Sequence, residues 1–157
     1  MPLESGDKAP DFTLLDQHGE TFSLGASLKQ RKVKHLIYFY PRADTPGCTT
    51  QACGLRDAQK ADELGETVVV GISPDKPQAL EKFDTKYELG FPLLSDVDHS
   101  VAEGYGAWGE KKNYGKTYQG VIRSAFLVDE DGRIEQAWPK ISPKDTPTKL
   151  KAALAGA

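Results

Sequence analysis

The chain has 157 residues, 38% of them hydrophobic, enough to bury the core of one ordinary domain and too few for two, so a single domain over residues 1–157 is expected. A formal net charge of −3 gives no electrostatic reason to expect DNA, RNA or an anionic membrane as partner. No apolar run approaches the ~20 residues of a membrane span.

In chain order, residues 2–10 are polar and lack the apolar core of a signal peptide, so a cytoplasmic location is expected. Residues 11–15 and 21–24 read as short strands joined by the turn Gln17-His18-Gly19-Glu20. The basic stretch KQRKVKH (29–35) reads as a solvated lead-in to a strand over 33–40, which is rich in β-branched and aromatic residues and is ended by Pro41. A helix is predicted from Pro46 to about Leu64, then a buried strand over 67–73. Residues 77–89 suit a helix, with Pro77 in its first turn and Gly90 just past its end. A short strand (91–95), a short helix (99–105) and a strand over 121–128 follow. Residues 129–132 form a turn into a hairpin partner at 133–138, and a helix over 144–154 closes the chain.

Two apolar strands separated by a helix predict a parallel pair. The later hairpin completes a mixed sheet with helices on both faces. The expected fold class is therefore α/β: a thioredoxin-like fold, its mixed central sheet flanked by helices, with an extra N-terminal β-hairpin. Fold alone does not give chemistry.

Chemistry concentrates in residues 41–57, PRADTPGCTTQACGLRD. This segment begins where the strongest strand ends and a helix starts. Thr45 is placed to serve as N-cap and Pro46 to open the first turn. Cys48 then falls where unpaired backbone N–H groups and the helix dipole favour an anion, and a thiolate is such an anion. Cys53 lies five residues on, where a cysteine can equally pack as a small hydrophobe. Five helical residues rise about 7.5 Å and turn about 140°, which sets the two Cα atoms roughly 8–9 Å apart. A disulfide needs less than about 7 Å, so if the two cysteines bridge, the first turns must unwind.

The segment resembles the active site of peroxiredoxins, Pro-x-x-x-Thr/Ser-x-x-Cys, here Pro41, Thr45 and Cys48. The second cysteine makes it similar to the PrxQ subfamily, also called bacterioferritin comigratory protein. The likeness continues through GISPDKP (71–77), PLLSDVDH (92–99), YGAWGEK (105–111), GKTYQG (115–120) and RSAFLVDEDGRI (123–134). It implies a thiol peroxidase for hydrogen peroxide and organic hydroperoxides that uses no metal, flavin or haem. By that likeness Cys48 attacks the peroxide and Cys53 resolves the sulfenic acid as a Cys48–Cys53 disulfide. The same resemblance gives Thr45 and Arg123, with the Gly47 and Cys48 backbone N–H groups, to the peroxide, and Pro41 to shielding the site. Gln51 is expected either to hold Arg123 or to be an exposed helical residue. Thioredoxin, or a glutaredoxin, is the implied reductant, and a monomer the implied state.

Arg123 falls within the predicted strand 121–128, facing out or buried with a partner. A rival reading, a general thiol–disulfide oxidoreductase, usually rests on Cys-x-x-Cys, which is absent here. A catalytically idle binding domain is the third. Gly115-Lys116-Thr117 lacks the preceding glycine of a phosphate-binding loop. His18, His35 and His99 lack metal-ligand spacing and read as surface or capping residues. Trp108, Tyr114 and Tyr118 read as packing or loop anchors, with Trp108 a candidate border of the site.

Overall fold

The computed structural model describes residues 3–156, so Met1, Pro2 and Ala157 of the expected domain lie outside the described residues. The chain opens with a hairpin of β1 (Thr13–Leu15) and β2 (Thr21–Ser23), followed by α1 (Leu24–Arg31). Then come β3 (His35–Phe39), α2 (Pro46–Lys60), β4 (Val68–Ser73), α3 (Pro77–Tyr87), β5 (Leu93–Ser95) and α4 (Ser100–Gly104). A second hairpin, β6 (Trp108–Asn113) and β7 (Lys116–Val121), precedes β8 (Ser124–Val128), β9 (Ile134–Trp138) and α5 (Thr146–Ala155).

Seven strands form one mixed sheet in the order β2-β1-β5-β4-β3-β8-β9. β3, β4 and β5 run parallel, while β8 and β9 add antiparallel beside β3. The N-terminal hairpin joins the opposite edge through Leu15 and Ser95. This is the expected thioredoxin-like layout. Among the described residues, no helix is long and apolar enough to cross a membrane.

The core follows from strand alternation. Successive side chains point to opposite faces, so Leu36, Tyr38 and Tyr40 pack with Cys48, Ala52, Leu55, Leu80 and Leu150 under α2, α3 and α5. Ile37 and Phe39 pack on the other face with Leu24, Ala102 and Tyr105. Both faces of β3 are covered, and all five of its residues are buried. Gly71 of β4 is needed for this packing, because a Cβ there would lie 2.9 Å from the Tyr38 hydroxyl.

Two elements depart from the sequence reading. Helix α1 lies mostly on residues given no element, overlaps the start of the segment read as a lead-in, and takes Leu24 from the expected second strand. Only Leu24 is buried in it, so its apolar periodicity is weak. It is held instead by its ends: Ser23 accepts from the Ala26 N–H at 3.3 Å and Asp11 accepts from the Gly25 N–H at 2.8 Å. Lys29 and Arg31 fall in its last turn, where a cation is favoured.

The hairpin β6–β7 replaces a loop. Its strands carry polar residues on both faces, so no alternation advertises them. Its two-residue turn, Tyr114-Gly115, has positive φ at both positions (52° and 78°), as the favoured hairpin turn requires. Tyrosine seldom adopts that conformation, which hides the signal. Gly115-Lys116-Thr117 is thus turn and strand. Tyr114 is 97% exposed and anchors nothing.

Candidate active site

Cys48 sits in the first turn of α2, directly beyond the C-terminal end of β3. Thr45 takes the N-cap position and Pro46 the first helical one. The first intrahelical bond runs from Thr49 N–H to Thr45 C=O at 2.8 Å. The Gly47 and Cys48 N–H groups therefore precede the ladder and have no intrahelical acceptor. Thr45 differs from expectation in one respect: its hydroxyl accepts no helix N–H. It donates to the Arg42 carbonyl at 2.9 Å instead, because the turn before the helix folds that carbonyl back onto it. Its oxygen lone pairs stay free of the helix. Pro41, just past β3, is half-buried beside this turn.

The Cys48 thiol is buried and packs in the core cluster. Its polar neighbour is Arg123, whose Nη2 lies 3.3 Å from Sγ. Arg123 does not sit in a strand. It lies in the two-residue link between β7 and β8, which frees it from strand alternation. The link is fixed by Ile122 N–H to Ala107 C=O at 2.7 Å and by Ile141 N–H to Arg123 C=O at 3.0 Å. The other guanidinium arm donates to Gln51 Oε1 at 2.7 Å. Gln51 is fully buried against the arginine and is not an exposed helical residue. Gly47 lets the guanidinium come close, since a Cβ there would lie 3.2 Å from Nη2.

Cys53 lies one and a half turns on, half-buried against the same core, and both cysteines are free thiols. With α2 continuous from Pro46 to Lys60, the two sulfurs stand on an intact helix. Beneath them, the rings of Tyr38 and Tyr40 lie 5.5 Å apart. Burial raises the proton affinity of both hydroxyls far enough to keep them neutral. Among the described residues, neither the Tyr38 hydroxyl nor Thr49 Oγ1 has a hydrogen-bond partner. Lys111 of β6 faces the same region. Burial, then the Arg123 charge, lowers its ammonium below the usual lysine range, while Cys48 pulls it back up.

Sequence reasoning passed over the residues that hold the loop before Cys48. Asp75 accepts from the Ala43 N–H and from Ser73 Oγ, both at 2.7 Å. Asp44, at φ 57°, accepts from Lys86 Nζ at 3.0 Å and from the Tyr87 hydroxyl at 2.9 Å. These two bonds, Lys86 first, hold the Asp44 carboxyl below the usual carboxylate range. Asp75 lies in the quoted string GISPDKP, whereas nothing local marks Tyr87.

The histidines separate. His35 is fully buried rather than on the surface, because strand β3 is covered on both faces. Its ring satisfies itself between Ser27 Oγ (2.7 Å) and the Val33 carbonyl (2.9 Å). His99 holds the N-cap position of α4 and stacks on Trp108 at 3.8 Å.

Comparison with known proteins agrees with this geometry. Residues 5–137 match the AhpC/TSA family. The chain is 54% identical over 144 residues to a putative peroxiredoxin bcp of Haemophilus influenzae, covering 92% of this chain and 91% of that protein. Among solved structures it is similar to peroxidoxin BcpB of Mycobacterium tuberculosis, with a TM-score of 0.85 at 32% identity over 98% of this chain and 97% of that one. The bacterioferritin comigratory protein of Xanthomonas campestris, described with alkyl peroxide reduction activity, matches with a TM-score of 0.83 at 30% identity over 92% and 90% of the two chains. A cysteine at a helix N-terminus under an arginine, in this sheet and at this level of identity, makes the chain a member of the AhpC/TSA family, in the PrxQ (bacterioferritin comigratory protein) branch of the thiol-dependent peroxidases called peroxiredoxins.

Proposed function

We propose that Cys48 is the peroxidatic cysteine and Cys53 the resolving one, in a cycle carried by sulfur alone. The observation that carries this reading is the 3.3 Å approach of Arg123 Nη2 to Cys48 Sγ at a helix N-terminus. The guanidinium and the free Gly47 and Cys48 N–H groups are aimed where charge develops in the attack.

The thiolate attacks one peroxide oxygen. A sulfur–oxygen bond forms as the O–O bond breaks, and sulfur loses two electrons. The departing oxygen takes a proton and leaves as water or an alcohol. Thr45, with its lone pairs off the helix, orients the peroxide, and Pro41 screens the site from water. The Cys53 thiol then attacks the sulfenic sulfur, expelling water and forming the Cys48–Cys53 disulfide. Because an intact helix keeps their Cα atoms roughly 8–9 Å apart, the front of α2 unwinds for this step.

An external dithiol returns both thiols. Thioredoxin is our preferred donor and a glutaredoxin the alternative, which suits a cytoplasmic protein. Both cysteines lie in one chain, so a monomer suffices. The substrates are hydrogen peroxide and organic hydroperoxides. The alkyl peroxide reduction described for the X. campestris relative supports the second class.

The test is a thioredoxin-coupled NADPH assay over several hydroperoxides. Cys48→Ser abolishes turnover. Cys53→Ser consumes one peroxide per Cys48 and then stalls and overoxidises. Normal turnover by Cys53→Ser with thioredoxin would overturn the resolving role, and insulin-disulfide reduction without peroxidase activity would overturn the whole reading.

A further inference from the structure

Residues Gly47, Gln51 and Gly54 stand four and three apart on α2 and so share one flank of it. That flank faces the segment leading into α5. A Cβ at Gly47 would lie 3.4 Å from Pro143 Cγ, and one at Gly54 only 2.9 Å from Pro147 Cγ. The two glycines let this segment close against the helix, with Gln51 between them.

Gln51 Nε2 donates to Thr146 Oγ1 at 3.0 Å, and Thr146 Oγ1 donates to the Ser142 carbonyl at 2.9 Å. Both side chains are buried, Gln51 at 0% and Thr146 at 1% exposure. Four hydrogen bonds therefore run in series: Arg123 to Cys48, Arg123 to Gln51, Gln51 to Thr146, and Thr146 to Ser142.

The series has one possible direction. A guanidinium only donates and a backbone carbonyl only accepts. The carbonyl takes the single hydroxyl proton of Thr146, so Thr146 can only accept from Gln51. Gln51 must then turn its NH2 toward Thr146 and its oxygen toward Arg123. Arg123 alone would still call for the Gln51 oxygen, but without that hydroxyl the buried Gln51 NH2 loses its acceptor and the far end of the amide loses its anchor.

We propose that Thr146, at the start of α5, is a positioning residue for peroxide reduction: it anchors the far end of the Gln51 amide, which in turn aims Arg123 at the Cys48 sulfur. The proposal rests on the reading of Cys48 as the peroxidatic residue. Thr146 touches no reacting atom and acts only through Gln51.

The test measures the second-order rate of the reduced protein with hydrogen peroxide in single turnover, with Cys48→Ser as control. Thr146→Val, nearly the same shape without the hydroxyl, is expected to lower the rate at least five-fold, and Thr146→Ser to stay within two-fold of the parent. In a Gln51→Ala background, adding Thr146→Val is expected to change the rate no further, since the relay is already broken; a merely structural role would lower it again. Should Thr146→Val fail to fold, NMR of the unsubstituted protein decides. The Gln51 side-chain amide protons are then expected to exchange slowly, and in Thr146→Ser equally slowly.

A folded Thr146→Val with the parent's rate overturns the proposal, as does an undiminished loss in the Gln51→Ala background. So does a Gln51 amide that exchanges like that of a solvent-exposed glutamine. If the unsubstituted protein itself consumes no more peroxide than Cys48→Ser, the functional reading fails and takes the proposal with it.

Discussion

The front and back halves of α2 are held by different forces. The back half buries Leu55 and Ala58 in the core. It is tied to α3 by Arg56 Nη1 donating to the Tyr87 carbonyl at 2.6 Å. The front half is built of poor helix formers: Gly47, Thr49 and Thr50 all precede Gln51. The Thr50 hydroxyl donates back to the Pro46 carbonyl at 3.0 Å, a bond that tends to bend helices. Two buried hydroxyls at or below this half, those of Tyr38 and Thr49, go unpaired among the described residues, each a cost of about 1–3 kcal/mol. What specifically retains the front is the polar chain through Arg123, Gln51 and Thr146. The front buries only the small Cys48 and Ala52 beside these directional bonds, while the back buries the larger Leu55 with Ala58, so the front can open without the back.

Leu55→Ala attacks the anchored half. We expect a loss of about 3 kcal/mol in global stability, from a cavity in a fully packed site, read from the urea midpoint. A loss below about 1 kcal/mol would mean the back half is no firmer than the front. Arg123→Met attacks the other half. It is expected to slow the reaction of Cys48 with peroxide about 100-fold, roughly 2.7 kcal/mol of barrier, with a much smaller change in the urea midpoint. An equal loss of stability would make the arginine a structural tie first.

Tyr38→Phe removes an unpaired hydroxyl without altering the ring. It is expected to stabilise the protein by about 1 kcal/mol, and to slow formation of the Cys48–Cys53 disulfide by stopped-flow fluorescence. Destabilisation would show that the hydroxyl has a partner after all. The smallest effect is at the other end of β3. Burial holds His35 below its ordinary value of 6.5, so below about pH 6.5 the unfolded chain binds a proton that the folded chain resists. Stability contributed there falls as pH falls. The drop between pH 7.5 and 5.5 is expected to shrink in His35→Gln, while the rate of Cys48 with peroxide is unchanged.

Much of this architecture could be read from local pattern. Residues 33–40 and 67–73 advertised buried strands because both faces of each are covered. Pro46 and Cys48 after a strand end placed the thiol, since helix starts obey local rules. Arg123 is harder. Its neighbours Val121, Ile122 and Phe126 blend two strands and their link into one apolar run, so nothing local separates the link from the strands, although the arginine itself opens the motif RSAFLVDEDGRI. Thr146 and Tyr87 carried no local sign. Their importance comes from what lies across the fold, ninety-five residues from Gln51 in one case and forty-three from Asp44 in the other. Helix α1 and the β6–β7 hairpin were missed because caps and a positive-φ turn hold them, with little apolar periodicity.

The link that carries Arg123 is tied to Ala107 through the Ile122 N–H and to Ile141 through the Arg123 carbonyl, and neither anchor is in α2. If the front of α2 unwinds to form the disulfide, the sulfur departs and the guanidinium stays. The oxidised protein then shows a positive charge where the reduced one covers it with a thiol. Its two redox forms carry different faces at this spot, and a reductant bearing a carboxylate near its own thiols has a way to tell the spent enzyme from the ready one.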